Sequence, residues 1–204
     1  IMDDGCKEIG KDVEKDPVEW MGRALCITNA ARQFCDGIFG NADVVREVES
    51  KLGRPEYSTK CEMLLRYLKD KVKDDEKVVI FSSWTGALDQ IAIKLFMNDY
   101  NFERIEGGVE SMERVERTRT FHQDPHKRVL IATLGTFGEG VNLQCANHVI
   151  FFEPWWARAK EDQAYARCYR LGQKKDVYVT YLLIENSIEM YVRRVSKNAG
   201  KLTK

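Results

Sequence analysis

The feature that most constrains the fold is an alternation that begins at Lys60. Four apolar runs of strand length, KVVIFSS (77–83), RVLIATL (128–134), HVIFFE (148–153) and VYVTYLL (177–183), are separated by stretches of helical periodicity. Strands apolar at nearly every position are expected to be buried on both faces, the state of parallel strands covered by helices. After the first run, Leu88, Ile91, Ala92, Leu95 and Phe96 recur at i, i+3, i+4, i+7 and i+8, the stripe of an amphipathic helix. A short strand over Phe102–Ile105 and a helix from about Ser111 are expected next. Another helix lies between the last two runs. A final helix is expected to open on a capping box, Asn186 with Glu189, and to bury Ile188, Tyr191, Val192 and Val195. The pattern predicts an α/β domain on a parallel sheet, whose ligands bind at loops after the strand carboxyl ends.

Upstream of Lys60 the texture differs. Residues 1–16 read as a mobile acidic lead-in, and 17–59 as a helix followed by an irregular connection. Asp16 and Pro17 are the expected start of that helix, which runs to about Gln33. The α/β domain then covers 60–199, with a basic tail at 200–204. The 204 residues, 44% of them hydrophobic, fit one core plus such an extension. The charges sum to zero, so the whole molecule has no net pull on nucleic acid, but they are unevenly placed. Residues 1–19 hold seven acids against three lysines, whereas beyond Met190 there are Arg193, Arg194, Lys197, Lys201 and Lys204 and no acid. That end is either a phosphate contact or a solvated helix terminus. The six cysteines show no CxxC pair, and there is no signal peptide or bilayer-length apolar run. Reduced thiols, a nuclear or cytosolic setting and no membrane are the expectation. Ile1 in place of Met suggests a fragment.

Three loops after strands carry candidate chemistry: Trp84-Thr85, Glu106-Gly107-Gly108 and GTFGEGVNL (135–143). Glycines at 135, 138 and 140 permit close backbone approach of a phosphate or a neighbouring domain. No Lys-Ser/Thr follows them, so they are not a P-loop, and none occurs elsewhere in the chain. The segment QAYARCYRLGQ (163–173) is more specific. On a continuous helix Gln163, Arg167 and Arg170 fall at i, i+4 and i+7 and share a face, while Ala164, Cys168 and Leu171 form the docking stripe. Two guanidinium groups suit bidentate phosphate contact; the plain alternative is pairing with the domain's own acids. His122, His126 and His148 have no metal-ligand spacing with carboxylates, and no metal ligand is expected.

Taken in order, VVIFSSWTGALDQI, RIEGGV, VLIATLGTFGEGVNL, FFEPWW and QAYARCYRLGQ resemble the C-terminal RecA-like lobe of superfamily 2 helicases. They look most like the Swi/Snf family of DNA-translocating ATPases. FEPWW and the upstream ARQFC…STK are similar to its repair-associated subgroup, which often carries a RING finger. The resemblance implies a three-layer αβα RecA-like lobe over 60–199. It implies ATP with Mg²⁺, the metal held by a first RecA-like lobe absent from this chain, so this chain by itself is expected to be inactive. Arg167 and Arg170 match the arginine fingers, and Gln163, Gly138, Gly140 and Asn142 match the remaining nucleotide-facing positions. Ser82, Ser83, Trp84, Arg104, Gly107 and Thr133 match segments that line the double-stranded DNA track. Nucleosomes, a nuclear location and a monomeric isolated lobe are implied partners and states. The chain departs from the family pattern at Gly135, Phe137, Glu139 and Ala166. A diverged lobe kept for DNA or protein binding, and an RNA helicase lobe, are the competing readings.

Overall fold

The computed structural model describes residues 28, 29, 31–33, 35, 36, 58–136 and 141–199. Residues 28, 29, 31–33 and 35 are helical, the described part of the helix expected to reach Gln33. The acidic lead-in, the basic tail, Phe137, Gly138, Glu139 and Gly140 lie outside the described residues.

The element order from Ser58 is α1 (Thr59–Lys71), β1 (Val78–Ser82), α2 (Thr85–Met97), β2 (Phe102–Ile105), α3 (Ser111–Gln123), β3 (Val129–Thr133), β4 (His148–Phe151), α4 (Arg158–Tyr165), β5 (Tyr178–Tyr181) and α5 (Ile188–Ala199). Ser58 caps α1, its Oγ accepting from Lys60 N–H at 3.2 Å. The five strands are all parallel, in the order β2-β3-β1-β4-β5.

Helices cover both faces, and the continuous apolar runs hide a period of two. Val78, Ile80, Val129, Ile131 and Ile150 pack with Leu64 of α1 and Leu88, Ile91 and Leu95 of α2. Val79, Phe81, Leu130, Ala132, Val149 and Phe151 pack on the other face with Phe121 of α3 and Ala164 of α4. Each central strand therefore contributes to two cores, as a three-layer αβα sandwich requires.

Four expectations are corrected. The run VYVTYLL is not a buried strand: β5 is an edge, with Tyr178 50% and Val179 40% exposed. Phe96 lies at the outer end of the α2 stripe, 77% exposed. The last helix is capped by Ser187, whose Oγ accepts from Glu189 N–H at 3.2 Å, while Asn186 adopts a left-handed φ of 55°. Its buried residues are Glu189, Val192 and Ser196, and Tyr191 is exposed, because Glu189 is drawn inward by a charge described below. The fourth correction concerns the arginine segment.

Candidate functional site at the strand carboxyl ends

The chain runs from β1 out to β2 and β3, then crosses back to β4 and β5. Helix α2 leaves β1 toward one face and α4 leaves β4 toward the other, so adjacent β1 and β4 diverge at their carboxyl ends. Such a switch point opens a crevice in a parallel sheet. Here the crevice is filled by the chain itself. Arg32, 2% exposed, donates to Pro154 O at 2.8 Å, and its guanidinium lies 5.5, 5.7 and 5.9 Å from the rings of Trp84, Trp155 and Trp156. A desolvated guanidinium among three indoles gains cation–π attraction that bulk water would weaken.

Beneath this cage lies a charge cluster. Lys60 Nζ donates to Asp36 Oδ1 at 2.6 Å, to Phe152 O at 2.8 Å and to Glu189 Oε1. Fully buried Glu153 accepts from Ser83 N–H and lies 3.3 Å from Ser82 Oγ. Burial, then the charge of Glu153, pushes the Asp36 carboxyl up to about 8, and burial raises that of Glu153. One ammonium pairs with Asp36 and Glu189 and acts on Glu153 only through its field, so a protonated Asp36 leaves fewer anions for it to balance. Arg32, Lys60, Glu153, Trp155 and Trp156 lie in the motif stretches ARQFC, STK, FFEP and WW, whereas Asp36 and Glu189 lie outside them, and no periodicity links residues more than a hundred positions apart.

The arginine segment is built differently. Helix α4 ends at Tyr165, so Gln163, Arg167 and Arg170 do not project from one continuous helix. At its end the chain tightens, Arg167 N–H bonding Ala164 O at 3.2 Å and Cys168 N–H bonding Tyr165 O at 2.9 Å, and the carbonyls that follow go to other partners. Leu143 N–H takes the Arg167 carbonyl at 3.0 Å, and Gln173 Nε2 takes the Cys168 carbonyl at 3.2 Å. Those carbonyls would otherwise serve amides four residues on. Gln173 Nε2 also reaches Gln144 O at 3.0 Å and Ala146 O at 3.1 Å, and Gly172 turns the chain with φ 99°. Segments 141–147 and 166–173 thus form one unit. Cys168 is buried in it beside Ala164, but Leu171 is fully exposed rather than docked. Gln163 and Arg170 are exposed and Arg167 is 9% exposed. Among the described residues neither Arg167 nor Arg170 has a carboxylate partner. Nearby Arg158 pairs with Asp162 at 2.9 Å, and Arg193 with buried Glu161 at 3.1 Å. Asn142 joins the unit through its bonds to Gln144, and Gly135 is open, a Cβ there meeting nothing within 4 Å.

The track candidates divide. Ser82 is fully buried with its hydroxyl engaged by Trp84 and Glu153, and half-buried Thr133 is hydrogen-bonded to Thr136. Arg104 is held by Asp89 at 2.6 Å and Glu106 at 2.9 Å. Gly107 is open, with nothing within 4 Å of a Cβ. Ser83 and Trp84 are half-buried at the switch point. Burial pushes the thiols of Cys145 and Cys168 up to about 11 and 12, which argues against thiolate chemistry here. Among the described residues no group of three or more His, Cys, Asp or Glu side chains could hold a metal ion, and no helix is long and apolar enough to cross a membrane.

The profile of the helicase conserved C-terminal domain matches residues 59–172. The chain belongs to that family. It is similar to the DNA repair protein rad8 of Schizosaccharomyces pombe, 36% identical over 162 residues that cover 78% of this chain and 14% of that protein. It is similar to the ATP-dependent helicase ULS1 of Saccharomyces cerevisiae, 34% identical over 152 residues, 72% of this chain and 9% of that protein. A crystal structure of the C-terminal part of the Fun30 ATPase domain superposes with a TM-score of 0.65 at 34% identity, covering 68% of this chain and 45% of that one. The chain therefore spans a small part of the curated relatives it matches, and it is a helicase C-terminal lobe of Swi/Snf type.

Proposed function

We propose that this chain is the second motor lobe of a double-stranded-DNA-dependent ATPase of repair or chromatin-remodelling type, acting in the nucleus. The observation that carries this reading is the pair Arg167 and Arg170. Both lie on a turn locked to the 141–147 segment, and among the described residues neither meets a carboxylate. Leaving a nearly buried guanidinium without an anion is costly, so a ligand anion is the economical partner. ATP bound on a first lobe supplies it, and Mg²⁺ on that lobe serves the same phosphates. Arg167 and Arg170 hold charge at the terminal phosphate, with Asn142 and Gln163 beside them. The finger-bearing lobe alone does not hydrolyse ATP. Ser83, Trp84 and Gly107 face the DNA backbone, with nucleosomal DNA as one substrate, while Ser82, Thr133 and Arg104 hold those loops in shape.

The test is ATP hydrolysis by the two-lobe protein, with and without duplex DNA, for wild type and Arg170→Ala. Stimulation of the wild type by duplex, lost in the variant while nucleotide binding persists, is the expected outcome. Equal hydrolysis by the variant, or a wild type that never responds to duplex, would overturn the reading in favour of a binding lobe.

A further inference from the structure

Arg193, Arg194 and Lys197 of the basic end have no part in the function proposed above, and helix α5 gives them a place. Helix α5 lies beside α4, and between them, at the carboxyl end of β5, runs a groove of about 950 Å³. Arg158 and Asp162 line it from α4, and Arg193, Arg194 and Lys197 line it from α5. Among the described residues Asp162 is the one acid on the wall, and Arg158 already neutralises it. Arg193 is spent electrostatically on buried Glu161, yet its position is fixed. Its guanidinium lies 3.4 Å from the Tyr181 ring centroid and, among the described residues, donates one hydrogen bond, to Glu161. A guanidinium carries five donors, so an immobilised fork with free N–H groups remains. Arg194, which rests on Tyr191, and Lys197 have no acid partner among the described residues. The wall therefore holds two uncompensated cations around one ordered guanidinium.

We infer that this groove binds the phosphodiester backbone of duplex DNA, as a second contact beside the track. The inference rests on the motor reading for its choice of nucleic acid. The volume is too large for one small anion and suits successive groups on a chain. Position supports the same choice. Arg158 follows β4 and the groove opens at the carboxyl end of β5, the side of the sheet that carries Ser83 and Trp84 after β1. Strands β1 and β5 are two positions apart in the sheet, about 10 Å. A duplex seated on the β1 loop thus has its flank within reach of Arg194 and Lys197. Contacts of this kind read charge and not base sequence.

The test uses the whole 204-residue chain and a fluorescein-labelled duplex, with anisotropy titrations over a series of salt concentrations. The double variant Arg194→Ala/Lys197→Ala is compared with Lys69→Ala/Lys71→Ala, which removes the same charge from exposed α1. Loss of two phosphate contacts lowers the slope of log affinity against log salt by roughly 2. The groove variant is expected to show that fall and the α1 variant to keep the wild-type slope. Equal slopes for the two variants, or no duplex binding by the wild type, would overturn the inference. So would displacement of the duplex from the wild type, but not from the groove variant, by polyglutamate at matched charge, which would assign the groove to acidic peptide. The motor reading is judged separately by Arg170→Ala hydrolysis, so the groove can fail while the fingers stand.

Discussion

Arg32 and Arg170 belong to two regions at the same end of one sheet, and they are treated in opposite ways. At the switch point between β1 and β4 Arg32, Lys60 and Glu153 each meet partners within the chain. Arg32 has three indoles and a carbonyl, Lys60 has two carboxylates and a carbonyl, and Glu153 has the Ser83 amide. In the turn after α4 the backbone is satisfied to a similar degree, but among the described residues the guanidinium groups of Arg167 and Arg170 meet no carboxylate. The first region spends its cations on holding three segments together. The second uses its hydrogen bonds for rigidity, and in the function proposed above its cations serve an external anion. Backbone rigidity with unpaired charge is how a preorganised electrostatic site is built.

The sharpest break in this comparison is kinetic. Arg170→Ala in the two-lobe protein should lower DNA-stimulated turnover by about 10³-fold or more, the usual scale of an arginine finger. Its unfolding midpoint should stay at the wild-type value. Arg119→Ala, which removes an exposed pair with Glu116 on α3, should change turnover less than about twofold, since such pairs contribute little. Steady-state assays beside thermal melts would separate the two, and a melting loss for Arg170→Ala would mean that its charge is structural.

Lys60→Met tests the other region. It leaves Asp36 and Glu189 buried without their ammonium, and breaking a buried pair from one side costs about 3–5 kcal/mol. Urea unfolding of the isolated chain reads this directly. A loss below roughly 1 kcal/mol would show that the cluster is wetter than its burial suggests.

Gln173→Ala joins the regions' two logics, because it removes a hydrogen-bond donor and not a finger. Three carbonyls, of Gln144, Ala146 and Cys168, lose that donor, at a cost of about 1–3 kcal/mol. Turnover should fall along with stability, since the turn that aims Arg170 loosens. A variant that loses stability but keeps full turnover would show that the turn is held by the Leu143 bond alone.

The last tests are pH dependences, and they run in opposite directions. Asp36 titrates near 8 when folded and near 3.8 when unfolded. Its contribution is therefore present below about 3.8 and is lost as pH rises through 8. Glu76 behaves in reverse. Burial alone would raise its pKa, but the Lys73 amide, Asn147 and His148 outweigh burial and hold it near 2. Its contribution is present above about 4.5 and is lost as pH falls through 2. Melting curves of Asp36→Asn should flatten the decline between about pH 3.8 and 8, and those of Glu76→Gln the one between about pH 4.5 and 2. Unchanged profiles would mean that other groups set the limits.

The sequence by itself determined the α/β class, the strand positions, the parallel sheet and the Swi/Snf-type motif order, because these depend on local periodicity and residue type. Burial of Val78–Phe81 on both faces follows from a run with no polar position. Tertiary structure alone decided what depends on distant partners. The helical spacing of Gln163, Arg167 and Arg170 was legible, but the helix ends at Tyr165 in a tightened turn, and the Arg167 carbonyl beyond it goes to Leu143 of another segment rather than to an amide four residues on. VYVTYLL reads like the buried strands, yet sheet order places it at an edge. Glu189 reads as a capping residue, but Lys60, 129 positions away, draws it into the core. Spacing fixes which residues can share an element, whereas the pairing of charges depends on which elements the fold brings together.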